Sequence, residues 1–225
     1  GKMVHATERM VEKNNEGILQ FVREQNADFF LLQEVDKSSK RSYYYDQFGA
    51  LAGAVPTYDV HFATNYKVGR VPIPIMEPWH VYGKTFSGLA TLSRFQASTV
   101  ERYQLPGSFD WPTRIFQLDR CIAGGDWNQC PPNFDFDKFM PGQTEGYSQM
   151  NIPVDYLPEN WTWAYDPHTP TNRKTHSPYR HGQTFVALID FFLVSPNVEV
   201  VKVEGVDQGF DFSDHQPVKM RVRLE

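Results

Sequence analysis

Cysteine is scarce in this chain: Cys121 and Cys130 are the only two among 225 residues. Two thiols cannot build a disulfide framework, and their spacing lacks the second ligand pair that a structural zinc site needs. Both read as ordinary residues, and the compartment stays undetermined. Long apolar runs are missing as well. No stretch of ~18 apolar residues occurs, so the sequence holds no transmembrane helix. No apolar signal core stands at the N-terminus, although a chain that opens at Gly1-Lys2 leaves room for a removed upstream targeting segment. Positive charge is in deficit, with 22 Lys and Arg against 27 Asp and Glu and a net charge of −5. That balance argues against holding nucleic acid mainly by neutralising many phosphates, while leaving a local basic groove open. Internal repeats and low-complexity tracts are absent too.

What is present is a globular composition, with 40% hydrophobic and 22% charged residues, in a chain long enough for one substantial core. Over residues 7–25, Met10, Ile18, Phe21 and Val22 recur at three- and four-residue intervals among charged neighbours, which predicts an amphipathic helix. Residues 28–33 form a short continuous apolar run, the pattern of a central strand covered on both faces, with Glu34 at its carboxyl end. Residues 43–84 show no sustained period and read as long loops and short strands. Residues 88–94 and 113–118 read as strands. Beyond Asn128, repeated prolines predict mostly loop, where binding residues concentrate on a rigid scaffold. Residues 185–194 read as one buried strand. Val218, Met220, Val222 and Leu224 alternate with Lys219, Arg221 and Arg223, which predicts a half-buried final strand. Strands mixed with helices suggest an α/β sandwich, sheets inside and helices outside.

Three acidic words fall at or just after apolar stretches: Leu32-Gln33-Glu34-Val35, Gly124-Gly125-Asp126-Trp127-Asn128 and Ser213-Asp214-His215. Asp190 stands inside the apolar run 185–194. An ionised carboxylate buried without a partner costs several kcal/mol, so Asp190 needs a cation, a donor or a wet cleft. Either backbone donors at a bulge or His215 could satisfy it; the His215 pairing would fix the imidazole tautomer and support a ring that accepts a proton. Gly124 and Gly125 permit a tight turn, and in a strand-like segment Asp126 and Asn128 would point the same way. A Glu- and Asp-rich oxygen set suits Mg²⁺ or Mn²⁺, whereas hydrolytic zinc favours clustered histidines. Asn172 and Arg173, with Thr171, Lys174 and Tyr179, form a candidate phosphate- or substrate-contacting loop, since arginine offers phosphate a planar fork of donors. A solvated surface loop is the alternative there. Asn160-Trp161-Thr162 matches a glycosylation sequon, which matters only in a eukaryotic secretory route.

Taken in order, the words around Glu34, Leu92-Ser93-Arg94, Gly125-Asp126-Trp127-Asn128, Ile189-Asp190-Phe191 and Ser213-Asp214-His215 resemble the endonuclease/exonuclease/phosphatase superfamily. That group includes DNase I-like nucleases, abasic-site endonucleases, sphingomyelinases and inositol polyphosphate 5-phosphatases. The resemblance implies a four-layered α/β sandwich, two packed and mostly antiparallel sheets flanked by helices, as a single domain over residues 1–225. It implies a divalent-metal-dependent phosphoester hydrolase, with Glu34 binding Mg²⁺ or Mn²⁺ and Asp214 in or near the coordination sphere. Asp126 and Asn128 would orient the attacking water, and His215, held by Asp190, would act as acid/base or polarise the phosphate.

Two parts of the family pattern are missing from this sequence: a first strand ending in a metal-binding asparagine, and a strand with a Thr-His or Asn-His word followed by a helix near Cys121-Ile122. The sequence therefore predicts omitted segments at both places, with a deletion as the alternative. The expected substrate is a phosphorylated small molecule, a lipid headgroup or a nucleic acid. No stable protein partner is inferred, and a monomer is expected. Two competing readings are a non-catalytic binding module on the same fold and sugar binding by aromatic loops around Trp79, Trp111, Trp161 and Trp163.

Overall fold

The computed structural model describes residues 6–71, 83–98, 100, 104–105, 114–115, 118–119, 122–135, 138–139, 150–157 and 160–224. They fall in two compact units, Ala6–Gln117 and Leu118–Glu225. The Cys121–Ile122 junction, Trp79 and Trp111 lie outside the described residues.

The first unit opens on α1 (Glu8–Glu24). Thr7 caps it, its hydroxyl accepting from the Met10 amide at 3.3 Å, and Glu8 in the first turn and Arg23 in the last suit the helix dipole. The helix lies where the periodicity predicts and presents Val22 to a core shared with Phe30, Val35, Leu51, Val55, Ala90 and Leu92, with Ile18 packed against it, but Met10, expected on the same face, is 49% exposed. Then follow β1 (Phe29–Asp36), a 3₁₀ turn (Lys40–Ser42), α2 (Gln47–Ala54), β2 (Asp59–Val71), β3 (Gly83–Ser93), β4 (Gln104–Leu105) and β5 (Arg114–Ile115). The main sheet runs β1-β3-β2, antiparallel throughout. Gly88 sits in its middle strand because a Cβ there would come 2.3 Å from the Ala63 carbonyl oxygen.

The central-strand expectation for residues 28–33 is corrected: among the described residues β3 is central and β1 pairs on one side alone. Nor does β1 stop at Glu34. Leu32 pairs with Ala90 and Val35 with Gly88, so β1 carries one extra residue there, a bulge in which Glu34 takes φ 54°. The 43–84 reading is corrected as well. It missed α2, whose Gly- and Ala-rich sequence carries little periodic signal, and the 13-residue β2, whose residues are mostly half-buried and so do not alternate.

After the 3₁₀ turn the chain makes an unusual move. Tyr43 and Tyr44 take φ 53° and 62° in succession, a left-handed region that costs a residue with a side chain roughly 1–2 kcal/mol each. Tyr43, Tyr44 and Tyr45 are 45%, 56% and 36% exposed.

The second unit contains β6 (Leu118–Asp119), β7 (Ile122–Asp126), β8 (Thr162–Ala164), β9 (Asn172–Arg173), β10 (Val186–Ala187), β11 (Asp190–Val194), β12 (Val198–Gly205) and β13 (Val218–Leu224). Its sheets run β6-β7-β11-β8, β9-β10 and β12-β13. The expected strand over 113–118 is therefore two separate pairings, β5 with β4 and β6 with β7. The final strand is as predicted, with Lys219, Arg221 and Arg223 exposed and Val218, Met220 and Val222 half-buried. The run 185–194 is not one strand. It breaks at Leu188 and Ile189, where the Thr171 hydroxyl accepts from the amides of Ile189 and Asp190, both at 3.0 Å. A side chain has replaced a neighbouring strand as partner.

Around that break the core is aromatic. Phe191 is 1% exposed; Trp127 stacks on it at 5.7 Å and Trp163 meets it edge-on at 5.4 Å. Trp163 is thus packing rather than a sugar platform. Cys130 is a buried free thiol, its pKa pushed up by burial to about 11.

Candidate active-site residues

In the second unit, β7 and β11 place Asp126 directly opposite Asp190 on one rung, so both carboxylates leave the same face. Two like charges facing each other are unfavourable without a cation nearby, and His215 supplies one. Its Nδ1 lies 2.9 Å from Asp190 Oδ2 and 3.1 Å from Oδ1. Burial disfavours the imidazolium, but Asp190 first, then Asp126 and Asp214, outweigh that cost and raise the His215 pKa from 6.5 to about 9.

On the far side of the ring, Asn172 Nδ2 lies 2.9 Å from His215 Nε2. With the ring neutral and its proton on Nδ1, Asn172 donates to Nε2. In the imidazolium both ring nitrogens donate, and the Asn172 amide must turn its oxygen to the ring. An asparagine can serve either state. The backbone fixes this row, because Asn172 and His215 form an antiparallel bridge. The Gln216 amide donates to the Thr171 carbonyl at 2.7 Å and the Arg173 amide to the Asp214 carbonyl at 3.0 Å.

Thr171 is therefore a keystone that sequence reasoning placed only in a substrate loop. It is 2% exposed, and its hydroxyl terminates the two amides that set Asp190. Replacing it with valine keeps the shape and strands both donors. We expect a loss of about 2–3 kcal/mol, read as a lower denaturation midpoint with an unchanged m-value. Thr171→Ser should keep most of the stability; equal losses in the two variants would refute the hydroxyl's role.

The expected agreement between Asp126 and Asn128 is corrected. The strand ends at Asp126, and Asn128 turns off in the left-handed region at φ 54°, its amide donating to Asp126 Oδ1 at 2.8 Å. The side-chain carboxylate closes its own turn. Arg173 is half-buried, with Nη1 donating to the Lys174 carbonyl at 3.2 Å and a buried Nε that finds no partner among the described residues. Tyr179 packs edge-on to Phe210 at 4.9 Å. Burial and Asp207 raise its pKa against the opposing charge of Arg173.

In the first unit, Glu34 stands on the β1 bulge with its side chain 77% exposed. Sequence reasoning missed its partner. Arg41 Nη1 reaches Glu34 Oε2 at 2.8 Å, while Nε and Nη2 grip the two oxygens of Asp36 at 3.1 and 3.2 Å. The Asp36 side chain is only 3% exposed, and Ser39 also donates to it, at 2.8 Å. Glu34 and Asp36 outweigh the cost of burying the guanidinium and push its pKa further up, so it stays charged. The missed signal was Asp36 itself, a second carboxylate at the end of an apolar run that needs a cation.

Among the described residues no three His, Cys, Asp or Glu side chains gather into a metal cage. None of their helices is long and apolar enough to cross a membrane.

Comparison with known proteins bears on this geometry. The model of the Endonuclease/Exonuclease/phosphatase family matches residues 11–215. No curated protein matches the chain. A solved endonuclease/exonuclease/phosphatase family protein from Leptotrichia buccalis superposes with a TM-score of 0.54 at 12% identity, covering 98% of this chain and 97% of that one. At that identity the likeness is one of fold. An endonuclease/exonuclease/phosphatase from Beutenbergia cavernae gives 0.44 at 14% identity, over 93% of this chain and 66% of the other. The α/β architecture with its antiparallel sheets is DNase I-like. With the family pattern running from α1 to His215, the chain belongs to the endonuclease/exonuclease/phosphatase family, whose members are phosphoester hydrolases.

Proposed function

We propose that this chain hydrolyses phosphoester bonds with the help of Mg²⁺ or Mn²⁺, and that His215 handles the proton. The observation that supports this best is the row Asp190–His215–Asn172, in which a carboxylate and an amide hold the two ring nitrogens. A ring so held keeps its orientation while its Nε2 gains or loses a proton. Asp126, on the same rung as Asp190, is the group proposed to orient the attacking water, with Asn128 locking its turn.

Glu34 is the proposed protein ligand of the ion. Its carboxylate is exposed and its oxygens suit a hard dication, which would share the carboxylate with Arg41 on Oε2. The lack of a three-residue cage among the described residues is compatible with Mg²⁺, which is commonly held by one or two carboxylates and completes its shell with water and substrate oxygens. A bound ion would supply charge neutralisation at the phosphoryl oxygens. Arg173, half-buried and next to Asn172 on β9, is the proposed contact for a phosphate oxygen, and Tyr179 is proposed to contact substrate beside it.

A substrate panel tests the reading: bis(p-nitrophenyl) phosphate, p-nitrophenyl phosphate, a phosphoinositide, sphingomyelin and an oligonucleotide, each with Mg²⁺, Mn²⁺ or EDTA. Turnover of at least one substrate is expected with either ion, lost in EDTA and restored by added ion. Turnover that persists in EDTA would overturn metal dependence. No turnover on any substrate would leave the fold as a binding module.

A further inference from the structure

We propose that Tyr43, Tyr44 and Tyr45 form a stacking surface for the unpaired bases of single-stranded nucleic acid; the choice of ligand rests on the phosphoester reading above. Three adjacent tyrosines are substantially exposed, although most large rings among the described residues are buried or half-buried. Two of them hold left-handed backbone, where glycine would sit without strain. A sequence that keeps bulky rings at such positions retains them against a local cost, and strain of this kind gathers at functional sites.

The loop is held rigid. The amides of Tyr43, Tyr44 and Tyr45 donate to the carbonyls of Lys40, Ser39 and Ser42 at 3.1, 2.9 and 3.0 Å, and the Tyr43 hydroxyl donates to the Ala6 carbonyl at 3.0 Å. Ser39 beneath them is fully buried, joining Asp36 to β3 through its hydroxyl, which accepts from the Phe86 amide at 3.0 Å. The backbone that carries the three rings is therefore held, and the Tyr43 ring is tied at its hydroxyl. The tyrosines follow Arg41 after one residue, Ser42, and Arg41 Nη1 holds Glu34, so the surface begins two residues from the proposed ion ligand's partner.

Charge and composition select the ligand. Residues 37–45 contain Lys37, Lys40 and Arg41 between Asp36 and Asp46, and Arg41 is taken up by Glu34 and Asp36, so the positive charge beside the rings is that of the lysines. Lys37 is turned onto the rings of Phe48 and Phe62, but Lys84 Nζ, which donates to the Ser38 hydroxyl at 3.2 Å, lies 5.9 Å from the Tyr44 ring centre. The Lys40 stem crosses Gly83 so closely that a Cβ there would meet it at 2.7 Å. Rings flanked by lysines match alternating bases and phosphates, the combination by which single strands are held without sequence preference. A lipid surface fits less well, because residues 36–47 carry no Val, Ile, Leu, Met or Trp to enter it, and tyrosine alone keeps its hydroxyl wet.

The test uses the whole chain in EDTA, where binding is separated from turnover, with a fluorescein-labelled single-stranded oligonucleotide followed by anisotropy. Tyr43→Gly and Tyr44→Gly are expected to weaken binding about 5–100-fold each; Tyr44→Gly should melt no lower than the parent, since glycine relieves the left-handed backbone, while Tyr43→Gly also gives up the bond to the Ala6 carbonyl. Tyr44→Phe should bind like the parent. Binding lost without stability lost is a pattern that a structural role does not produce. Unchanged affinity in both glycine variants, or no oligonucleotide binding by the parent, overturns the proposal, as does tyrosine-dependent binding to phosphatidylserine vesicles in place of the oligonucleotide. A parent that binds through the tyrosines yet hydrolyses nothing keeps the surface and removes only the hydrolase reading.

Discussion

His215→Ala is expected to lower kcat on any hydrolysed substrate by about 10²–10⁴-fold, the usual contribution of a positioned acid or base, with a smaller change in KM. The size follows from the ring's environment. Asp190 holds Nδ1 at 2.9 Å, so removing the imidazole takes away both the proton carrier and the cation between two carboxylates. Asp190→Asn should cost a similar factor while leaving the ring in place, because the amide no longer stabilises the imidazolium. A drop of less than about 10-fold in both variants would remove His215 from the chemistry.

A second readout needs no substrate. The folded His215 pKa is raised from 6.5 to about 9, so the folded state binds the proton more tightly than the unfolded chain. That stabilisation is complete below pH 6.5 and fades as pH rises through about 9. In EDTA, the parent should lose stability across this window and His215→Ala should show a flatter profile. Parallel profiles would mean that the Asp190 pairing does not form in solution.

Arg41→Ala should cost about 3–5 kcal/mol of stability, the range for removing one partner of a buried ion pair. Asp36 is the reason. Its side chain is 3% exposed and would keep only the Ser39 hydroxyl among the side-chain donors described here, so an ionised carboxylate would be left in the core beside β3. Glu34 alone would not give this effect, since an exposed pair contributes about 0–1 kcal/mol. The double variant Arg41→Ala with Asp36→Asn removes both charges and should recover much of the loss, which a double-mutant cycle in denaturant with the two single variants would measure. A single-variant loss under about 1 kcal/mol would place the whole cluster in the surface class.

These residues mark where the sequence was legible and where it was not. The helix at α1 and the last strand, β13, were readable because one face of each is buried, which writes a period into the residues themselves. That Asp190 needs a partner was readable because it stands in an apolar run; the choice of His215 over backbone donors came from the family resemblance, and the 2.9 Å contact agrees with it. The break in the run 185–194 was hidden: a buried hydroxyl from Thr171, far away in sequence, ends the strand, and no local period records that. The bulge at Glu34 was hidden for a related reason, since an extra residue becomes visible only when β3 is laid beside β1. Arg41 was hidden because its role depends on the burial of Asp36, whose side chain is 3% exposed, and a carboxylate at the end of an apolar run does not record whether it is covered. The long β2 was lost because residues half-buried along their whole length do not alternate.

The shared rung of Asp126 and Asp190 restricts how this gene can change. Substitutions within residues 122–125 can be absorbed by repacking, but an in-frame codon gain or loss there would swing one carboxylate to the opposite side of the sheet. Drift in this segment should therefore proceed by replacement at constant length, while insertions collect in the proline-rich stretch beyond Asn128.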